Sequence, residues 1–76
     1  MSPRLPRITA GRMLRALKRD GWDEHARVGS HVQLKHPTKP GRVTVPVHAG
    51  ETLQPWLLTS ILRQAGLTVE ELRALL

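Results

Sequence analysis

The chain has no cysteine, which excludes disulfide staples and thiolate metal sites and fits a reducing, cytoplasmic setting. It has no phenylalanine or tyrosine, and Trp22 and Trp56 are its only aromatic rings apart from histidine. A single-strand RNA reader built on aromatic platforms is therefore disfavoured. No apolar run approaches the roughly 20 residues that a membrane span requires. The opening stretch MSPRLPRITAG lacks the apolar core of a secretory signal, so residues 1–8 read as a loose basic arm. Acidic residues are also scarce, 6 against 12 Lys and Arg, for a net charge of +6.

What is present is lopsided. Ten of the twelve cations lie before residue 43, opposed there only by Asp20, Asp23 and Glu24. A concentrated cationic surface favours a polyanion, and nucleic acid is the commonest one. Seventy-six residues make a single domain, 1–76, burying about 60% of its unfolded surface.

Local patterns predict the elements. Thr9 is a good N-cap, and Ala10, Met13, Leu14 and Leu17 recur as one apolar helix face with Arg12, Arg15 and Arg19 opposite. Gly21 ends that helix. Trp22 to Val28 reads as a first strand, with Trp22, Ala26 and Val28 on one parity and Asp23, His25 and Arg27 on the other. Gly29-Ser30 turns the chain. In the second strand, His31 to His36, Val32 and Leu34 face one way and His31, Gln33 and Lys35 the other.

After a loop at residues 37–41, Arg42 to His48 reads as a third strand with valines on alternate positions. Pro46 cannot donate to a ladder, which gives that strand an open edge. Thr52 and Pro55 mark the start of a second helix ended by Gly66, and Thr68-Val69-Glu70-Glu71 is a capping box for a short last helix. The expected architecture is α+β, α-β-β-β-α, with a three-stranded antiparallel sheet, helices on one face and a short C-terminal helix. The other face, left to water, carries His25, Arg27, His31, Gln33, Lys35, Arg42, Thr44 and, at the strand's end, His48.

Three readings compete for the histidines. A zinc site needs three or four converging ligands; with no cysteine, no carboxylate near His31, His36 or His48, and cations all around, no metal is expected. An idle structural role suits His25, and His36 on the inward parity packs at the sheet margin. The third reading is acid–base work on RNA. An ordinary imidazole titrates near pH 6.5, and RNA supplies its own nucleophile in the 2′-hydroxyl, so no metal or other cofactor is needed. Lys35 lies about 13 Å along the strand from His31, which suits it to a neighbouring phosphate rather than the reacting one. A cation at the reacting phosphate would stabilise the charge that develops there.

Lys18-Arg19-Asp20-Gly21-Trp22, Gly29-Ser30-His31, Lys35-His36-Pro37, Val43-Thr44-Val45-Pro46 with His48, and Ser60-Ile61-Leu62-Arg63-Gln64-Ala65-Gly66-Leu67 together resemble the HicA-like toxins of bacterial toxin–antitoxin modules. The resemblance spans roughly residues 11 to 67. It implies a double-stranded-RNA-binding-like fold and metal-independent cleavage of mRNA that arrests growth. It also implies that activity depends on the histidine of Gly-Ser-His, His31, and that a HicB-like antitoxin covers the site. The RNA-contacting set so expected is Ser30, Gln33, Lys35, Arg27, Arg42 and His48.

Two positions depart from the family's usual pattern. Val28 stands where members often carry Lys, and Pro55-Trp56-Leu57-Leu58 stands where they often read Pro-Gly-Thr-Leu. The competing function is a non-catalytic RNA-binding module using the same basic face, since duplex readers work by shape and phosphate contacts. A DNA-binding module is disfavoured, because the helix after Pro55 offers mainly Arg63 and Gln64 as polar readers.

Overall fold

A computed structural model describes residues 4–76. Along the chain run α1 (Ala10–Arg19), β1 (Asp23–Val28), β2 (His31–Lys35), β3 (Val43–Pro46), α2 (Pro55–Ala65) and α3 (Val69–Leu75). The strands form an antiparallel meander in the order β1-β2-β3. Val32, Leu34, Val43 and Val45 are fully buried on one sheet face, in the same cluster as Met13, Ala16 and Leu17 of α1 and Leu58, Ile61 and Leu62 of α2. The protein is thus α+β, with a three-stranded sheet covered by helices on one side and open on the other.

The first helix starts where the Thr9 hydroxyl accepts the Arg12 N–H at 3.3 Å, satisfying one of the amides that a helix start leaves unpaired. It ends at Asp20 and Gly21, and Gly21 takes φ 106, a left-handed value open chiefly to glycine. Around that turn the Asp-Gly-Trp and His-Pro segments lock together. The His36 Nδ1 accepts the backbone N–H of Thr38 and of Lys39, each at 3.1 Å. The proton therefore sits on Nε2, which donates to the Asp20 carbonyl at 2.8 Å. Trp22 is fully buried, stands edge-on to the His36 ring at 5.2 Å, and donates its indole N–H to Asp20 at 3.2 Å. Lys39 pairs with Asp20 at 2.6 Å and also caps the last carbonyl of α2, that of Ala65. His36 is a structural residue at the sheet margin, as its parity implies.

Two expectations, one at the N-terminal segment and one at the start of α2, are corrected. Residues 4–8 are docked, not loose: Ile8 is 2% exposed, its carbonyl accepts the Leu53 N–H at 2.9 Å, and Arg73 donates to the Arg4 carbonyl. Leu5 and Ile8 supply apolar contacts that hold the segment, while residues 1–3 of the expected arm lie outside the described residues. The second helix has Gln54 rather than Thr52 at its N-cap position, with no side-chain capping bond, and Pro55 in its first turn. Thr52 is drawn instead into an isolated antiparallel bridge with Thr9.

The capping box at α3 forms as expected: Thr68 N–H to Glu71 Oε1 at 2.9 Å and Glu71 N–H to the Thr68 hydroxyl at 3.1 Å. The Thr68 backbone bond, then the bond to its side chain, hold the Glu71 carboxyl below its ordinary value of 4.5. Since the folded value is depressed, the charged box stabilises the protein above pH 4.5, and that contribution is lost as pH falls through the lowered value. Thermal unfolding of wild type and Glu71→Gln should therefore differ at pH 7 and converge toward pH 3. A constant gap across that range would remove the charge from the account.

Candidate active site

The two-residue turn Gly29-Ser30 closes the β1–β2 hairpin and makes Val28 and His31 direct partners. Gly29 has φ 60 and Ser30 a negative φ, the sign pattern of a type II′ turn, whose twist matches that of the flanking strands. The Ser30 carbonyl accepts the Val47 N–H at 2.7 Å, so the turn is also fastened to the end of β3. His31 therefore sits on a rigid bend, tied on both sides. It is exposed, and its ring makes no hydrogen bond to the described residues, which leaves both nitrogens open.

On the other side His31 pairs with Pro46, Gln33 with Thr44 and Leu34 with Val43. Thr44 turns its N–H outward to the Gln64 side chain at 3.0 Å, whereas Val47 turns its own inward. The alternation makes His31–Pro46 a narrow, non-hydrogen-bonded pair, the kind in which side chains stand closest. The imidazole is thus flanked by the apolar side chains of Val28, itself 65% exposed, and Pro46.

Along β2 the open face continues through Gln33 to Lys35. Arg42 also reaches this face, where its guanidinium donates to Gln33 Oε1 at 3.0 Å. Gln33 is about 7 Å along the strand from His31, half the distance to Lys35. The cation brought closer to His31 along the strand is therefore Arg42, a placement that parity alone does not reveal.

Arg27 is not brought to this face. The ladder pairs it with Val32, on the helix side of the sheet, while Ala26 and Val28 share the open face with Gln33 and His31. The hairpin, not the strand's own alternation, dictates the register: once Val32 and Leu34 must be covered, Val28 is forced to the side of His31. A bulge then inserts His25 between Glu24 and Ala26 and returns Asp23 to the open face opposite Lys35. Arg27 lies at 3.4 Å from Glu24, an exposed pair of small energetic worth. His25 is exposed on the bulge.

His48 lies past the end of β3. It lines a cleft of about 120 Å³ together with Pro46, Glu51, Gln54 and Leu57. Pro46 links that cleft to the flank of His31. Among the described residues no three His, Asp or Glu side chains converge to hold a metal ion, and no helix is long and apolar enough to cross a membrane.

Residues 11–67 match the family model described as the HicA toxin of bacterial toxin–antitoxin. The chain belongs to the HicA toxin family. The match covers the whole sheet and every residue named on its open face, so the site described above lies inside the family region. Membership makes the chain a toxin of a toxin–antitoxin system, with an antitoxin for a partner. No curated protein matches the chain. Val28 and Trp56 are the exposed large apolar side chains among the described residues, at 65% and 72%.

Proposed function

We propose that this HicA-family toxin is a metal-independent endoribonuclease that cleaves mRNA with His31 as general acid–base, and that a HicB-like antitoxin inhibits it by covering the open sheet face. The observation carrying this reading is the exposed, unpartnered imidazole of His31, held on a fastened turn at the end of a cationic face. In the first step the His31 ring takes the 2′-hydroxyl proton, and the 2′-oxygen attacks the adjacent phosphorus. The bond to the 5′-oxygen breaks and that oxygen receives a proton, leaving a 2′,3′-cyclic phosphate and a 5′-hydroxyl. Water or a second side chain can deliver that proton to the leaving oxygen. His48, at the neighbouring cleft, is the candidate side chain.

Arg42, steadied by Gln33, faces the negative charge that builds on the phosphate oxygens. Lys35 holds the next phosphate along, and Ser30 offers its hydroxyl beside the turn. Arg27, on the other side of the sheet, could touch RNA only where the strand passes around the edge at β1. General acid–base catalysis contributes roughly 10²- to 10⁴-fold, enough for a slow enzyme acting on a message that needs only one cut.

The test is a cleavage assay on unstructured RNA in the presence of EDTA. Cleavage should persist undiminished and leave cyclic phosphate ends. A requirement for added Mg²⁺ or Zn²⁺ would end the metal-free mechanism, and intact RNA that is nonetheless bound would favour the non-catalytic RNA-binding module.

A further inference from the structure

The sheet face leaves one strongly charged feature unused. Arg12, Arg15 and Arg19 are exposed on α1, and with Leu76 they line a groove of about 230 Å³. Arg19 is fixed there by donating to the Leu75 carbonyl at 2.6 Å. No acidic residue occurs in α1, and the ion pairs among the described residues are Arg27–Glu24 and Lys39–Asp20, so none of the three arginines has a carboxylate partner. Like charges at i, i+3 and i+4 repel and weaken a helix. Three guanidinium groups in one groove, none of them in an ion pair with an Asp or Glu side chain, therefore repel one another, and an anion seated among them relieves that repulsion.

The groove faces away from His31. Ala10, Met13, Ala16 and Leu17 point from α1 into the core beneath the covered sheet face, and the arginines occupy the other side of the helix. His31 lies across the sheet from them. The protein is small, with principal extents of 36 × 29 × 18 Å between Cα atoms, so a flexible single strand can engage one side and pass around to the other. A rigid duplex cannot.

We propose that Arg12, Arg15 and Arg19 form a second site, for the phosphodiester backbone of single-stranded RNA, remote from the site of cleavage. The choice of RNA rests on the proposed ribonuclease reading; the anion site itself rests on the groove. Guanidinium groups suit phosphate oxygens through paired N–H donors, and a groove with a single apolar lining residue does not suit a protein partner's apolar anchor. The row anchors a message while its downstream or upstream segment lies over His31. An antitoxin seated on the open sheet leaves the row uncovered, so the neutralised pair still holds RNA.

The test measures binding of a 2′-O-methylated single-stranded RNA, which lacks the nucleophile and cannot be cut, at several salt concentrations. Replacing all three arginines by glutamine should reduce the slope of log affinity against log salt by about 2, since each single-strand phosphate contact contributes roughly 0.7. The triple Arg→Lys variant should keep most of the slope, and circular dichroism verifies that both variants fold. An unchanged RNA slope overturns the proposal. So does a loss confined to duplex DNA of equal length, or one confined to antitoxin affinity, either of which would give the groove to another partner. Failure of wild type to cut unmodified RNA would refute the ribonuclease reading while the slope with methylated RNA still decides the groove.

Discussion

His31→Ala is expected to abolish RNA cleavage and growth arrest while leaving the unfolding transition almost where it was. The two halves of that result have separate physical causes. Removing the base costs at least the factor of roughly 10² that a positioned proton acceptor provides. The fold is spared because the ring is exposed and makes no hydrogen bond to the described residues, and substitutions of that kind usually stay within about 0.5 kcal/mol. Alanine also keeps the Gly29-Ser30 turn intact, since the hairpin geometry depends on Gly29 and not on the imidazole. Cleavage of a labelled RNA, growth after induction and a urea titration make the three measurements. A variant that cuts as fast as wild type would remove His31 from the chemistry. His25→Ala, on the bulge, is the matched control and should change nothing.

Gly21→Ala should be strongly destabilising, at the end of the sheet opposite His31. A Cβ built there lies 2.6 Å from the His36 Nε2, and φ 106 strains any side chain regardless of space. His36 cannot simply swing away, because its ring is pinned by Asp20 on one side and by Thr38 and Lys39 on the other. Backbone strain and local overpacking of this kind each cost about 1–3 kcal/mol. Against a total of about 5–15 kcal/mol, their sum is a large share for a domain this small. Chemical denaturation of a double-mutant cycle separates the two terms: in a His36→Ala background the same Gly21→Ala change should cost less, because only the backbone strain remains. An equal cost in both backgrounds would show that the histidine contact contributes nothing.

Much of this architecture is written in short-range patterns. The valine alternation of β2 and β3, the Thr9 cap and the Thr68–Glu71 box each depend on residues within one turn or one strand, and the structure bears them out. The face of His31 was legible for the same reason: Val32 and Leu34 can only point inward. The sides of Arg27 and Val28 were not, because β1 is a polar edge strand whose own parity carries no strong preference. Its register is borrowed from the hairpin, and the His25 bulge then shifts the count again. The two-residue spacing of Gly29-Ser30 was the available signal, since it makes Val28 and His31 neighbours whatever their polarity. The Arg42–Gln33 contact joins two strands across a loop, and no local pattern encodes it. The docking of residues 4–8 was hidden likewise, since Leu5 and Ile8 are too few to announce a buried segment.

At β3 the outermost backbone offers nothing to a newcomer: the amide of Thr44 is already taken by Gln64, and Pro46, next on that side, has none to give. A second β-strand laid alongside would find carbonyls but no matching hydrogens, so growth of the sheet through this border is closed. Any macromolecule that recognises the protein at this border must come down onto its broad surface rather than zip onto the β3 rim, and ribbon-like self-association through β3 is blocked.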